Sequence, residues 1–303
     1  MNLEACLPPE LVNATITKIA AGLSGAGVYR VDADGQVFVL KISDEGAEWR
    51  GRIQQLAADA GLAPRVVHVD EARRAVVSAF VVDRSFPALF GNPQTREAAL
   101  AQLGRMLRRV HELPIPAGIE ANDPLELLTR IWSGLASFAT PAFVGDAVRR
   151  MLDETVPARD RALVLSHNDV NPSNVVFDGE RVLLLDWDMA GPNDPFYDLA
   201  AISVFLRMDD ATSERLLAAH DDAPVSSLPA RFRYNRRLVA VTCGVLFLHL
   251  ARHGGHGGGD ATLDATLALG DIYQRMRAGT LSPATADGQW LFGLALVKAS
   301  VAL

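Results

Sequence analysis

Two short stretches constrain this chain more than anything else in it: His167-Asn168-Asp169-Val170-Asn171-Pro172-Ser173-Asn174 and Leu183-Leu184-Leu185-Asp186-Trp187-Asp188. Between them, residues 175–177 and 182–185 read as two short apolar strands joined at Asp178-Gly179, a dipeptide that favours a tight turn. A hairpin there brings Asn174 and Asp186, at its open ends, together on one rim. Asp169 can accept a proton from an attacking hydroxyl, while Asn174 and Asp186 can hold Mg²⁺ against ATP phosphates; these are the parts of phosphoryl transfer. Asp and Asn in loops more often cap turns, and one His-x-Asp match carries little. Three spaced elements with a hairpin that explains their convergence carry far more.

At 303 residues and 49% hydrophobic, the chain is long enough to bury a full core and to form two lobes. A net charge of −7 without a long Lys/Arg run argues against a nucleic-acid surface and is compatible with a cationic small substrate. Cys6 and Cys243 lie far apart in no metal-ligand or redox spacing, as expected of a reduced, cytoplasmic protein. Residues 1–10 lack the basic start and apolar run of a signal peptide. The longest apolar run, 238–251, is too short to cross a bilayer and contains His249, so it reads as a core helix with no membrane insertion.

Near the start, Gly22-Leu23-Ser24-Gly25-Ala26-Gly27 precedes a hairpin formed by 28–31, Asp34-Gly35 and 37–42. Small residues at Gly22, Ser24, Gly25 and Gly27 let backbone N–H groups approach phosphates, although such turns also join strands for steric reasons alone. The spacing matches neither G-x-G-x-x-G nor a Walker loop. Lys41, in an otherwise apolar strand, stands about where a kinase puts its phosphate-contacting lysine. A lysine at a strand end can simply reach water, but Asp169 and Asp186 downstream favour the phosphate role. Residues 44–60 carry a helical period through Trp49, Ile53, Leu56 and Ala60, with a stop at Gly61. Glu48, or Glu45 one turn earlier, can pair with Lys41; both can instead be solvated first-turn acids. Residues 66–69 and 75–82 read as further strands. In a kinase-like layout 78–83 then crosses to the second lobe, with the backbone at Ala79 and Val81 on the adenine edge.

The second lobe opens with a helix over 93–113, its stripe at Leu100, Leu103, Met106, Leu107 and Val110 facing a core and His111 at its end a capping or packing residue. Residues 124–138 and 143–152 also read as helices, and 163–165 as a strand feeding the motif, where His167 orients the loop. Two prolines and a glycine keep 189–195 irregular until a helix begins near Phe196. Asp198 then braces the loop by accepting backbone N–H bonds, while Asp188 either does likewise or reaches metal or substrate. Residues 211–303 read as helical, with 253–259 a flexible connector by composition. For a cationic acceptor, Trp187, Tyr197, Phe196 and Trp132 are cation–π candidates, each with a competing place in the core. Asp209, Asp210, Asp221 and Asp222 are candidates for a wider acidic rim, or solvated helix ends.

The chain resembles the aminoglycoside phosphotransferase and choline kinase superfamily. The likeness lies in His167-Asn168-Asp169 with Asn174, in Leu185-Asp186-Trp187-Asp188, and in Asn193-Asp194-Pro195 with Asp198. It implies an α+β, protein-kinase-like fold of two lobes. Residues 1–82 form a nucleotide-binding lobe, a small antiparallel sheet with one helix; 78–84 is the hinge; 83–303 is a mainly helical catalytic and substrate-binding lobe. By the same resemblance Asp169 is the catalytic base, Asn174 and Asp186 are metal ligands, and Lys41 holds ATP phosphates. Asn168 and the 190–195 run look like bacterial choline kinases, whereas Leu23-Ser24-Gly25-Ala26 before Val28-Tyr29-Arg30 looks like aminoglycoside-modifying enzymes. The expected activity is phosphorylation of choline, ethanolamine or a related amino alcohol. Alternatives are an aminoglycoside, thiamine or homoserine kinase and, in another class, a non-catalytic nucleotide-binding pseudokinase. A protein kinase is disfavoured, because Asn168 replaces the arginine that reads a phosphorylated activation loop and 186–198 is too short to hold one.

Overall fold

Alternation of apolar and polar residues shapes the first third of the chain. In the computed structural model, which describes residues 2–11, 13–19, 27–43 and 50–303, five antiparallel strands form one sheet. They are β1 (Thr15–Lys18), β2 (Gly27–Ala33), β3 (Gln36–Ile42), β4 (Val66–Asp70) and β5 (Ala75–Ala79), in the order β1-β2-β3-β5-β4. Asp34 and Gly35 both take positive φ, 48° and 74°, the geometry that matches the twist of a two-residue hairpin. Phe38, Leu40 and Ile42 point to one face, where they pack with Cys6, Leu7, Val31 and Val77. The period of two sends Lys41, opposite Val28 and Val76, to the other face.

Helix α1 (Gly51–Asp59) ends as Gly61 predicts. Gly61 sits at φ 69°, Gly61 N–H donates to Ala58 O and Leu62 N–H to Ala57 O, so the last carbonyls are satisfied by a left-handed cap. Residues 44–49, which include Glu45 and Glu48, lie outside the described residues. Then come α2 (Phe86–Gly91) and α3 (Arg96–His111), whose buried stripe includes Leu100, Leu103, Met106, Leu107 and Val110 as its sequence period requires.

Two compact units divide the chain. One comprises Met1–Glu120, Leu163–Asp198 and Arg215–Val225; the other comprises Ala121–Ala162, Leu199–Glu214 and Ser226–Leu303. The second is built on α4 (Pro124–Ser133), α5 (Ala142–Asp153), α8 (Ala230–His253), α9 (Leu269–Arg277) and α10 (Ala286–Ser300). Its core joins Leu128, Val144, Val148, Leu238, Val245 and Leu294. The apolar run at 238–251 is the buried body of α8, and among the described residues no helix is long and apolar enough to cross a membrane. Residues 253–259 are not the free connector their composition suggests. His256 stacks on Trp290 at 4.6 Å between ring centroids, and Gly259 N–H donates to Ala139 O at 2.9 Å.

In the first unit β6 (Val164–Ser166) pairs with β9 (Gly191–Asn193), and β7 (Val175–Phe177) with β8 (Val182–Leu184). The first pairing corrects the expectation that 189–195 is irregular throughout. Pro192 is tolerated because the ladder is only two strands wide, so a missing N–H need not be matched on both sides. Helix α6 (Pro195–Phe205) starts directly after, and α7 (Asp210–Asp221) follows it in the chain.

Candidate functional site

The β7–β8 hairpin forms as its sequence dictates. Asp178 Oδ1 accepts from the N–H groups of Glu180 and Arg181, and Gly179 turns through φ 113°. The ladder continues one step past the strands, with Leu185 N–H donating to Asn174 O at 2.8 Å, and this sets Asn174 and Asp186 at the open mouth. Three further bonds anchor the hairpin. Leu184 N–H donates to Leu62 O behind α1, Phe177 N–H to the Asp83 carboxylate, and Arg84 N–H to Phe177 O.

The 167–174 loop is braced from below. Asp198, fully buried in the first turn of α6, accepts the backbone N–H of His167 at 2.7 Å and of Asn168 at 2.8 Å, the part foreseen for it. It also accepts from the His111 ring at 3.1 Å. His167 is itself buried, with Nε2 bonded to Leu185 O and Nδ1 accepting from Asp169 N–H. Both ring nitrogens are thereby committed to shaping the loop. Asn168 turns at φ 65°, a left-handed geometry that asparagine tolerates better than most residues. Its amide donates to Met189 O and Gly191 O, and its oxygen accepts from Asn193 at 2.7 Å.

At the mouth, Asn174 Nδ2 donates to Asp169 Oδ2 at 2.8 Å and Asn171 Nδ2 to Asp169 Oδ1 at 3.0 Å. Burial pushes the Asp169 carboxyl above its usual range, Asp186 adds to the effect, and His167 with the two amide donors opposes it. Lys41 Nζ stands 2.6 Å from Asp186 Oδ1 and 2.8 Å from Asp188 Oδ2. Burial would lower the lysine, yet the two carboxylates outweigh it and raise it. Among the described residues no group of three or more His, Cys, Asp or Glu side chains gathers as a metal cluster. Asn174 uses its amide nitrogen for its bonds to Asp169, which leaves its carbonyl oxygen, with the Asp186 and Asp188 carboxylates, as the hard oxygen donors on offer. That donor set fits Mg²⁺, which takes a few carboxylate or carbonyl oxygens and completes its shell with phosphate and water.

The other expected residues fall unevenly. Gly27 opens β2, whereas Gly22, Ser24, Gly25 and Glu48 lie outside the described residues. Ala79 ends β5 with its N–H bonded to Arg65 O, so only its carbonyl can serve a ligand, and Val81 lies just past the strand. Trp187 is 1% exposed, its indole N–H donates to Leu184 O, and its ring meets His167 edge-on. Tyr197 and Phe196 are buried as well, so these three rings offered as cation receivers are interior packing instead, while Trp132 is half-buried against the helical core. Asp188 proves to be a second partner of Lys41. Asp210 pairs with Arg233 and Arg236, Asp221 with His220, Asp222 with Arg108, and Asp209 caps Thr212. These four acids answer local cations and helix ends rather than forming an open rim.

Sequence inspection missed the link from His111 and His220 to Asp198. The two histidines are far apart in the chain, and neither stands in a motif.

A stretch of 62 residues is 31% identical to the protein LicA of Haemophilus influenzae, covering 20% of this chain and 18% of that protein. The chain therefore matches only about a fifth of the length of this curated relative. The crystal structure of choline kinase LicA from Streptococcus pneumoniae superposes with a TM-score of 0.58 at 18% identity, covering 88% of this chain and 92% of that one. A LicA structure in complex with AMP gives 0.61 at 17% identity, covering 92% and 95%. At these identities the likeness establishes a kinase-like phosphotransferase fold. The model of the phosphotransferase enzyme family matches residues 15–234, a span that holds Lys41, the hairpin, both acidic motifs and Asp198. With most of its length inside that match, the chain belongs to the phosphotransferase enzyme family.

Proposed function

We propose that the protein is an ATP- and Mg²⁺-dependent O-phosphotransferase whose acceptor is choline, ethanolamine or a related small amino alcohol. The observation that carries this is the meeting, from three separate parts of the chain, of Lys41 with Asp186 and Asp188, beside Asp169 held by Asn171 and Asn174. The stretch shared with LicA and the fold shared with a choline kinase support the acceptor class.

In this mechanism residues 1–82 bind the nucleotide, 78–84 is the hinge, and 83–303 carries the chemistry and the acceptor. Lys41 exchanges part of its carboxylate pairing for phosphate oxygens of the donor. Asn174 and Asp186 would hold Mg²⁺, which supplies charge neutralisation across the phosphates when bound. Asp169 receives the proton of the acceptor hydroxyl. Its two amide donors fix the carboxylate's direction, and its raised affinity for a proton suits the task. The loop beneath is held by hydrogen bonds rather than by a phosphorylated segment, so the assembly needs no switch. The acceleration rests on positioning and preset charge.

The test is ADP release from Mg-ATP with choline, ethanolamine, thiamine, homoserine and aminoglycosides. Turnover is expected with the amino alcohols, and Asp169→Ala should lower it by about 10²–10⁴-fold. Turnover confined to an aminoglycoside would replace the acceptor class. Undiminished turnover in Asp169→Ala would remove the assignment of the base, and ATP binding without turnover would leave a nucleotide-binding scaffold.

A further inference from the structure

His111 closes α3 and His220 lies in the last turn of α7. The two helices touch without an intervening side chain. A Cβ placed on Gly104 would lie 2.7 Å from Ala219 Cβ and 3.0 Å from Leu216 O. This approach brings the histidine rings to 5.0 Å between centroids, both buried. His220 Nδ1 bonds Asp221 at 2.7 Å, His220 Nε2 meets His111 Nδ1 at 2.9 Å, and His111 Nε2 bonds Asp198 at 3.1 Å. The line ends on the backbone N–H groups of His167 and Asn168.

Proton bookkeeping follows from the geometry. An ionised carboxylate only accepts, so each outer nitrogen, His220 Nδ1 and His111 Nε2, must carry a hydrogen. The inner contact between His111 Nδ1 and His220 Nε2 needs one more. That makes three hydrogens on four nitrogens, hence one positive charge shared by the pair. With only two, the inner lone pairs would face each other at 2.9 Å. Asp198 is the wrong place for the extra proton, because each of its oxygens already receives a backbone N–H, from His167 and from Asn168. The hydrogen bond from His111 also helps hold its carboxyl below the usual range against burial. Arg108, Arg109, Glu112 and Asp222 are charged groups at the neighbouring helix ends; Arg108 pairs with Glu112 and Asp222, and Arg109 donates to Ala60 O.

We propose that His111 and His220 are positioning residues for the phosphoryl-transfer loop, a buried pair sharing one positive charge that keeps Asp198 ionised and so fixes the His167–Asp169 backbone. The loop's role rests on the function proposed above; the proton count does not.

Two measurements separate these claims. In wild-type protein labelled with ¹⁵N-histidine, NMR at neutral pH should find three N–H hydrogens on the His111 and His220 rings; two hydrogens would overturn the proposal. His220→Phe should lower hydrogen-exchange protection of the His167 and Asn168 amides, and His220→Gln, which can still bond His111, should restore most of it. With choline as acceptor, the Phe variant should lose about ten- to a hundredfold in kcat while the KM for Mg-ATP stays within about twofold. Unchanged protection and kcat in the Phe variant would also overturn it. If wild type releases no ADP with any acceptor, the function proposal fails, while ring protonation and amide protection still decide this one.

Discussion

Asp198 shows how much rests on a single buried side chain. Taken out of water, a carboxyl should become harder to ionise, yet His111 and the loop N–H groups hold it below the usual range. A depressed carboxyl stabilises the fold at pH values above its unfolded value of about 3.9, and that contribution is lost as pH falls through the lower, folded value. Urea unfolding followed from about pH 5 downward should therefore show an acid loss of stability that is blunted in Asp198→Asn. The variant should be less stable at neutral pH by about 1.5–3 kcal/mol. Equal acid slopes in the two proteins would contradict the assignment. The brace was legible in sequence, because an Asp heading an apolar helix after two prolines has few other uses. Its partner His111 was not, since a histidine at a helix end looks the same whether it caps, packs or donates to a distant acid.

At the scale of elements, local signals and packing signals part company. The Asp34-Gly35 and Asp178-Gly179 turns, the stop at Gly61 and the stripe of α3 all follow from short-range rules and all formed as read. The close helix crossings did not announce themselves. Gly104 lets α3 lie against α7, while Gly244 and Gly293 let α8 and α10 approach until a Cβ on either would stand 2.9 or 2.7 Å from the other's carbonyl oxygen. Gly104→Ala and Gly244→Ala should each destabilise the protein by about 1–3 kcal/mol through overpacking. Only Gly104→Ala should also reduce amide protection at His167 and Asn168, since it alone displaces His220. Denaturant melts with hydrogen exchange check both statements; equal protection in the two variants would break the argument. A glycine inside a helical period looks like a minor weakness until the facing helix is known.

For the whole molecule, the decisive fact is that the unit bearing the candidate site draws on three separated segments of chain. A fragment ending at residue 120 would lack the hairpin that bonds Leu62, Asp83 and Arg84, and the strand pair beneath the loop. It should show no cooperative thermal transition by circular dichroism, and a sharp one would refute the dependence. Sequence alone determined the chemistry on offer. Residue types and spacings named Lys41, Asp169, Asn174 and Asp186, and hairpin geometry predicted which two would share a rim, because turns and strand periods act over a few residues. Tertiary structure alone decided which side chains face one another across long stretches of chain. It turned Trp187, Phe196 and Tyr197 inward, gave Lys41 its second carboxylate in Asp188, and set His220 against His111. Burial and pairing over such separations depend on how whole elements pack, and no local pattern encodes that.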